Sequence, residues 1–292
     1  MVKVWSVNGN GQLLDGGSMF GNAPRAVWEK WVPADDRDRI PLACRALYAE
    51  IDGVKVLCET GIGAFFEPKM ADRFGVKNKE QHMLLENLRA IGVDPDSIDF
   101  VILSHLHFDH AGGLLKTYAE IEAGDTELNF SKAKYVVGAE AFARSREPHS
   151  RDRASFIPGL WEKLEKSGRL IVVEKGASTH PELPNEIQFI YSEGHTPGQM
   201  LTCISGDKFK VIFTGDLIPG RHWVHLPITM GYDRFAEKVI DEKADLYETQ
   251  NLNNTYLFYT HDDKTAMSRV EKNEKGKFEP VDCVDQPEGF VL

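Results

Sequence analysis

Residues 104–113 read Ser104-His105-Leu106-His107-Phe108-Asp109-His110-Ala111-Gly112-Gly113, which places three imidazoles and one carboxylate within six residues. Neutral imidazoles and an ionised carboxylate are ligands for a borderline divalent ion such as zinc. Protonated, the same rings would repel one another. A lone histidine in a polar loop carries no such meaning, but three in the order H-x-H-x-D-H do. Gly112 and Gly113 lack a Cβ, so the backbone can turn sharply and pass close to an ion. Three later segments each present one more ligand-type residue: Gly194-His195-Thr196-Pro197-Gly198, Thr214-Gly215-Asp216 and Tyr259-Thr260-His261.

Elements of a regular kind must carry these residues. Residues 99–103, 187–191, 209–214 and 256–260 are short apolar runs that read as buried strands, and a ligand segment follows each. Site residues at the junction of a rigid strand and a loop are a common arrangement. Residues 42–51 and 54–58 predict a hairpin over Asp52-Gly53, and 200–205 with 209–214 predict another over Gly206-Asp207. Residues 79–91 carry Met83, Leu84, Leu85, Leu88 and Ile91 on one broad face, an amphipathic helix with Asn78 as N-cap and Gly92 as its stop. Helices are also expected from about Glu140, over 157–167 and over 234–250, and strands over 134–137 and 170–173. Residues 2–7 read as an edge strand, 15–22 as a Gly-rich loop, and 114–131 as an inserted loop or short hairpin. The charged tail 266–292 is expected to add a strand or two at a sheet edge. Strands alternating with helices give an α/β organisation, and no linker or repeat divides residues 1–292 into separate domains.

The H-x-H-x-D-H segment resembles the metal-binding motif of the metallo-β-lactamase superfamily, and G-H-T-x-G at 194–198 and the Asp216 and His261 segments match it in order. The resemblance implies a four-layer αββα sandwich of two mixed sheets flanked by helices. It implies that His105, His107 and His195 bind one metal, that Asp109, His110 and His261 bind a second, and that Asp216 bridges them. Two divalent ions per chain are expected; zinc fits the ligands, and manganese, iron or cobalt also suit such a set. Glu59 stands where the family usually has an Asp that supports the metal loop. With every ligand position filled, the chain looks like the dinuclear hydrolases of the family, in which a hydroxide shared by the ions attacks a carbonyl. Asp109 is both a ligand and a candidate proton carrier. Many homoserine lactonases have a Tyr three residues after the bridging Asp, a position occupied here by Pro219, so Tyr232 or His222 is the candidate substitute.

The leading expectation is a hydrolase of a small ester-like substrate, foremost a lactone. The alternatives are a thioesterase, a phosphotriesterase or phosphodiesterase, a nuclease, a mononuclear iron oxygenase, or a non-catalytic ligand-binding signalling protein of the same fold. A net charge of −11 argues against non-specific binding of nucleic acid or anionic membrane, leaving a small-molecule substrate as the expected partner and a homodimer as an open arrangement. Four scattered cysteines, without a C-x-x-C pair, read as reduced thiols. Residues 1–6 have no apolar leader pattern and no run suits a membrane span, which together read as cytoplasmic. Two stretches keep two readings each. Phe20, Trp28 and Trp31 form either a satellite core or an aromatic wall over the pocket, and the basic stretch 144–155 is either a solvated face or a lid over an anionic substrate.

Overall fold

The computed structural model describes residues 1–292. Its strands are β1 (Val2–Asn8), β2 (Gln12–Asp15), β3 (Arg39–Leu42), β4 (Arg45–Ile51), β5 (Val54–Cys58), β6 (Phe100–Leu103), β7 (Lys134–Gly138) and β8 (Leu170–Val173). They continue as β9 (Ile187–Ser192), β10 (Gln199–Ser205), β11 (Lys210–Phe213), β12 (Thr255–Phe258), β13 (Met267–Lys272), β14 (Phe278–Val284) and β15 (Glu288–Val291). One sheet has the order β15-β1-β4-β5-β6-β7-β8 and the other β14-β13-β12-β11-β10-β9, while β2 and β3 pair separately. Both large sheets are mixed. The run β5 to β8 is parallel, as is β11 with β12, and the neighbours outside these are antiparallel.

Side-chain alternation along each strand divides the core into layers. From β4, Leu47, Ala49 and Ile51 join Met200, Ile204, Val211, Phe213 and Phe258 of the other sheet in one buried cluster. Ala46 and Tyr48 of the same strand face the opposite way, into a cluster with Leu84, Leu88, Phe142, Leu160 and Leu164 from the helices Met83–Ala90, Ala139–Arg146 and Leu160–Lys166. On the far side of the second sheet, Leu201, Cys203, Ile212, Leu257 and Tyr259 pack with Val239, Leu246 and Tyr247 of the helix Ala236–Thr249. The result is helix, sheet, sheet, helix. Each fully buried aliphatic side chain in these layers contributes about 1.5–3 kcal/mol through burial.

Several elements differ from the sequence reading. β1 is interior, because β15 from the tail pairs with its outer side. The tail supplies three strands divided between the two sheets. Residues Gly16–Phe20 form a short helix capped by Asp15, whose side chain accepts from Ser18 N. Within 114–131, Tyr118–Glu122 is helical and opens with a Thr117/Glu120 capping box, a signal hidden by the weak apolar periodicity around it. The helix expected over 79–91 begins at Met83 with His82 as its cap, since Asn78 sits at φ +50° in a preceding turn. Phe20 and Trp28 are buried with Trp223 in the core beyond the second sheet, so the satellite-core reading holds for them. No helix is long and apolar enough to cross a membrane.

What matters for function is the edge where the strands end. β9, β11 and β12 run in one direction, since β9 is separated from β11 by two antiparallel steps. Their ends meet those of β5 and β6. The loops after β5 and β6 are laced together, with Thr60 N and Oγ1 both donating to His110 O and Gly113 N donating to Gly61 O. That approach leaves no room for side chains: a Cβ on Gly113 would lie 2.1 Å from Thr60 O, and one on Gly112 would lie 2.3 Å from Ile62 O. Gly113→Ala is therefore expected to lower the unfolding free energy of the metal-free protein by about 2 kcal/mol, read from urea denaturation, because the crowded backbone has to move.

Candidate metal centre

His105 and His107 leave the end of β6 in an extended turn, and His107 caps the one-turn helix Phe108–Ala111 that carries Asp109 and His110. His105, His107 and His195 bring one nitrogen each to a common point, as do Asp109, His110 and His261 with one donor atom each. In the first group His105 Nε2 and His107 Nδ1 are 3.0 Å apart, and His195 Nε2 is 3.3 Å from the same Nδ1. In the second group His261 Nε2 is 3.3 Å from His110 Nε2 and 3.5 Å from Asp109 Oδ2. Asp216 lies between them. Its Oδ1 is 3.4 Å from His110 Nε2 and 3.3 Å from His261 Nε2, and its Oδ2 is 3.2 Å from His195 Nε2. One oxygen thus serves each group.

The donors fit divalent cations. Ring nitrogens about 3 Å apart present converging lone pairs, and Asp216 Oδ1 is buried with no hydrogen-bond partner. Burial, reinforced by the neighbouring imidazoles, pushes His105 and His107 well below the ordinary histidine range, so both are neutral ligands. Burial acts the same way on His110 and His261, but Asp216 outweighs it with help from Glu59 and Asp109 at His110 and from Asp109 at His261, and both are raised well above that range. Burial would also raise the Asp216 carboxyl, yet His110, His195 and His261 hold it well below its usual range. The site is a buried negative centre that calls for positive charge.

A surrounding set of partners orients the rings, as metal-binding imidazoles require. Ser104 Oγ is 2.9 Å from His105 Nδ1, Asp233 Oδ1 is 2.9 Å from His195 Nδ1, and His261 Nδ1 donates to Ala43 O at 2.7 Å. Glu59 accepts from Ser104 N at 2.6 Å through Oε1, and its Oε2 lies 3.1 Å from His110 Nδ1. It does so from a left-handed backbone at φ +69°, an uncommon state for a non-glycine residue and one that sites tolerate. The longer side chain thereby performs the supporting contact that the resemblance assigned to an Asp.

Asp233, Gln12 and Gln199 went unassigned in the sequence. Gln12 Nε2 donates to Asp109 Oδ2 at 2.7 Å, and Gln199 Oε1 accepts from Asp216 N at 3.1 Å. Asp233 also accepts from Met230 N at 2.7 Å, which closes its own loop. That loop is anchored from behind by Lys243, whose buried Nζ donates to the carbonyls of Trp223, His225 and Ile228. No local spacing rule marks these residues, because each reaches the site across the fold.

A cavity of about 570 Å³ opens over the centre, with His107, Asp109, His195, Asp216 and His261 on its floor. Leu13, Leu14, Met19, Met70, Phe74 and Met230 form apolar wall. Tyr232 is also in the wall, and so are Arg151, Asp152, Ala154 and Ser155 from the basic stretch. Arg144 pairs with Asp152, and Arg151 donates to Gly231 O, so part of the stretch is held at the cavity rim while Arg146, His149 and Arg153 lie outside the lining. His222 is not brought to the cavity. It stacks on Trp31 with ring centroids 5.5 Å apart and planes within 4°. Trp223 is likewise buried in the core behind the loop and not in the wall.

The model of the metallo-beta-lactamase superfamily matches residues 39–261, the span that holds both donor groups and Asp216. The chain belongs to the metallo-beta-lactamase superfamily. It is 32% identical over 177 residues to an N-acyl homoserine lactonase of Bacillus thuringiensis, which is 58% of this chain and 60% of that protein. It is 28% identical over 136 residues to an N-acyl homoserine lactonase of Bacillus cereus, covering 47% and 44% of the two. The matched stretch thus spans about half the length of these curated relatives. A probable metal-dependent hydrolase from Staphylococcus aureus has the same fold, with a TM-score of 0.80 at 24% identity over 100% of this chain and 97% of that one. AidC, a dizinc quorum-quenching lactonase, superposes with a TM-score of 0.74 at 18% identity over 100% and 96%.

Removing the shared carboxylate should cost more than removing a supporting one. Asp216→Ala is expected to abolish stoichiometric binding at both donor groups. Asp233→Ala should weaken the His105–His107–His195 position by about 10–100-fold, measured by competition with a chromophoric chelator.

Proposed function

We propose that this protein is a dinuclear metal-dependent hydrolase whose substrate is a small ester, foremost a lactone carrying an acyl chain. The observation that carries the reading is Asp216, which offers one carboxylate oxygen to each of two buried donor groups at the floor of a largely apolar cavity. The similarity to N-acyl homoserine lactonases supports the lactone as substrate. Zinc suits the nitrogen-rich donor set. Two bound divalent ions would supply a nucleophile at neutral pH and Lewis acidity toward the carbonyl oxygen.

The chain's own residues supply the rest. Leu13, Leu14, Met19, Met70, Phe74 and Met230 hold an apolar chain against the wall and exclude water, in a cavity whose volume suits a small ligand. The Tyr232 hydroxyl, protonated at neutral pH as an ordinary tyrosine is, donates a hydrogen bond to the carbonyl oxygen as negative charge develops there. Asp109 takes the proton that the attacking water loses and returns it to the leaving alkoxide as the carbon–oxygen bond breaks. Its position on the cavity floor beside His110 and His261 suits both transfers. His222 has no part in this scheme, because it is engaged with Trp31 away from the cavity wall.

Arg73 and Arg151 in the same wall support a phosphodiester as the second reading. Arg73 lies over its neighbour Phe74, and Arg151 is held only by backbone carbonyls, so either can turn to an anion. Proton release by zinc-loaded protein, across acyl-homoserine and simple lactones, aryl esters, a thioester and a phosphodiester, separates the readings. Turnover of acylated lactones is expected, with none in His107→Ala. Tyr232→Phe should lower kcat on the best lactone by about 10²-fold. Turnover of the phosphodiester alone would replace the lactone reading, and an undiminished Tyr232→Phe would remove Tyr232 from the mechanism.

A further inference from the structure

Gln12 belongs to β2, ahead of residue 39 where the family match begins. It is fully buried, and its Nε2 donates to Asp109 Oδ2 at 2.7 Å. His261 Nε2 at 3.5 Å and His110 Nε2 at 3.8 Å from the same carboxylate complete the donor group. Asp109 stands on a helix of one turn, and its carboxylate can rotate about two side-chain bonds. The amide of Gln12 is a fixed donor against which that rotation stops.

The backbone that presents the amide is fastened on both sides. Gln12 pairs with Leu42 across β2 and β3, Lys77 N donates to Gly11 O, and Leu13 N donates to Phe74 O. Two residues earlier, buried Asn10 gives its Nδ2 hydrogens to the carbonyls of Lys77, Asn78 and Gln81 and accepts from Met83 N through Oδ1. The arm is thereby tied to the start of the helix Met83–Ala90. The amide itself is fully buried, so its side chain is confined by packing as well as by the fastened backbone.

We propose that Gln12 is a positioning residue for the Asp109–His110–His261 position, holding the Asp109 carboxylate in the orientation that closes that donor group around a divalent cation. The proposal rests on the metal-centre reading above. An amide suits the task for a chemical reason. It occupies one lone pair of Oδ2 and leaves the carboxylate its full negative charge, which a lysine or arginine in its place would neutralise.

The test uses full-length, metal-free protein and the metal ion alone as probe. Gln12→Met fills a similar volume without a donor. Wild type and variant are titrated with Zn(II), and separately with Co(II), whose visible bands report the coordination of each equivalent. The wild type is expected to take up two equivalents. In the variant one equivalent should bind as in wild type while the other weakens by about 10–100-fold and its Co(II) bands change, with the unfolding midpoint of the metal-free protein unmoved. Two equivalents bound with unchanged affinities would overturn the proposal. A parallel loss of both equivalents together with metal-free stability would also overturn it, because Gln12 would then be a structural brace. Should Gln12→Met fail to fold, Gln12→Asn, which withdraws the amide by one methylene, is read by the same criteria. Wild-type protein that binds both equivalents yet hydrolyses no ester would sink the hydrolase reading and leave this one standing. Wild-type protein that binds fewer than two equivalents would sink this one.

Discussion

A buried carboxylate between two converging sets of imidazoles is the constraint on which the rest of this structure depends. Asp216 lies within 3.2–3.4 Å of His195, His110 and His261. Placing so many ionisable groups together, out of water, is costly unless charges and donors are matched. The matching is carried outward in a second ring of contacts: Ser104 to His105, Asp233 to His195, Ala43 O to His261, Glu59 to His110 and Gln12 to Asp109. Each fixes a ring or a carboxylate that would otherwise have several orientations. The two-sheet frame exists, functionally, to hold those partners in register.

The frame does so by delivering strand ends to one edge. β5 and β6 run parallel in one sheet and β11 and β12 in the other, so Glu59, the 104–113 loop, Asp216 and His261 emerge on the same side. His195 follows β9, whose direction is set by two antiparallel steps from β11. Alternating side chains bury both faces of these strands, which accounts for their nearly continuous apolar composition.

The metal-binding candidates were legible because they are concentrated. Three histidines and an aspartate within six residues stand out against any background, and each remaining ligand follows an apolar strand. The α/β organisation followed from those strands and from helices such as 236–249 with a clear apolar face, and the four-layer sandwich from the family resemblance. What remained hidden depends on contacts across the fold. Asp233 and Gln12 reach ligands 38 and 97 residues away in sequence, and neither sits in a motif. His222 lay as close to Asp216 in sequence as any candidate, yet the chain turns it toward Trp31. Tertiary pairing also corrected β1 from edge to interior, since its outer partner comes from the last residues of the chain. The capping box at Thr117 could have been found locally, and weak periodicity masked it.

Tyr232 and Asp233 are adjacent in sequence and live under opposite constraints. Asp233 is buried, bonded to His195 and to its own loop, and the segment before it is pinned by Lys243 Nζ. Tyr232 stands in the cavity wall with 42% of its surface exposed. The peptide bond between them separates a side chain spent on holding His195 from one that faces the cavity. One step along the chain therefore passes from the frame of the donor cluster to the lining of the cavity, so a change at position 232 alters what meets a bound molecule without removing the contact that orients His195.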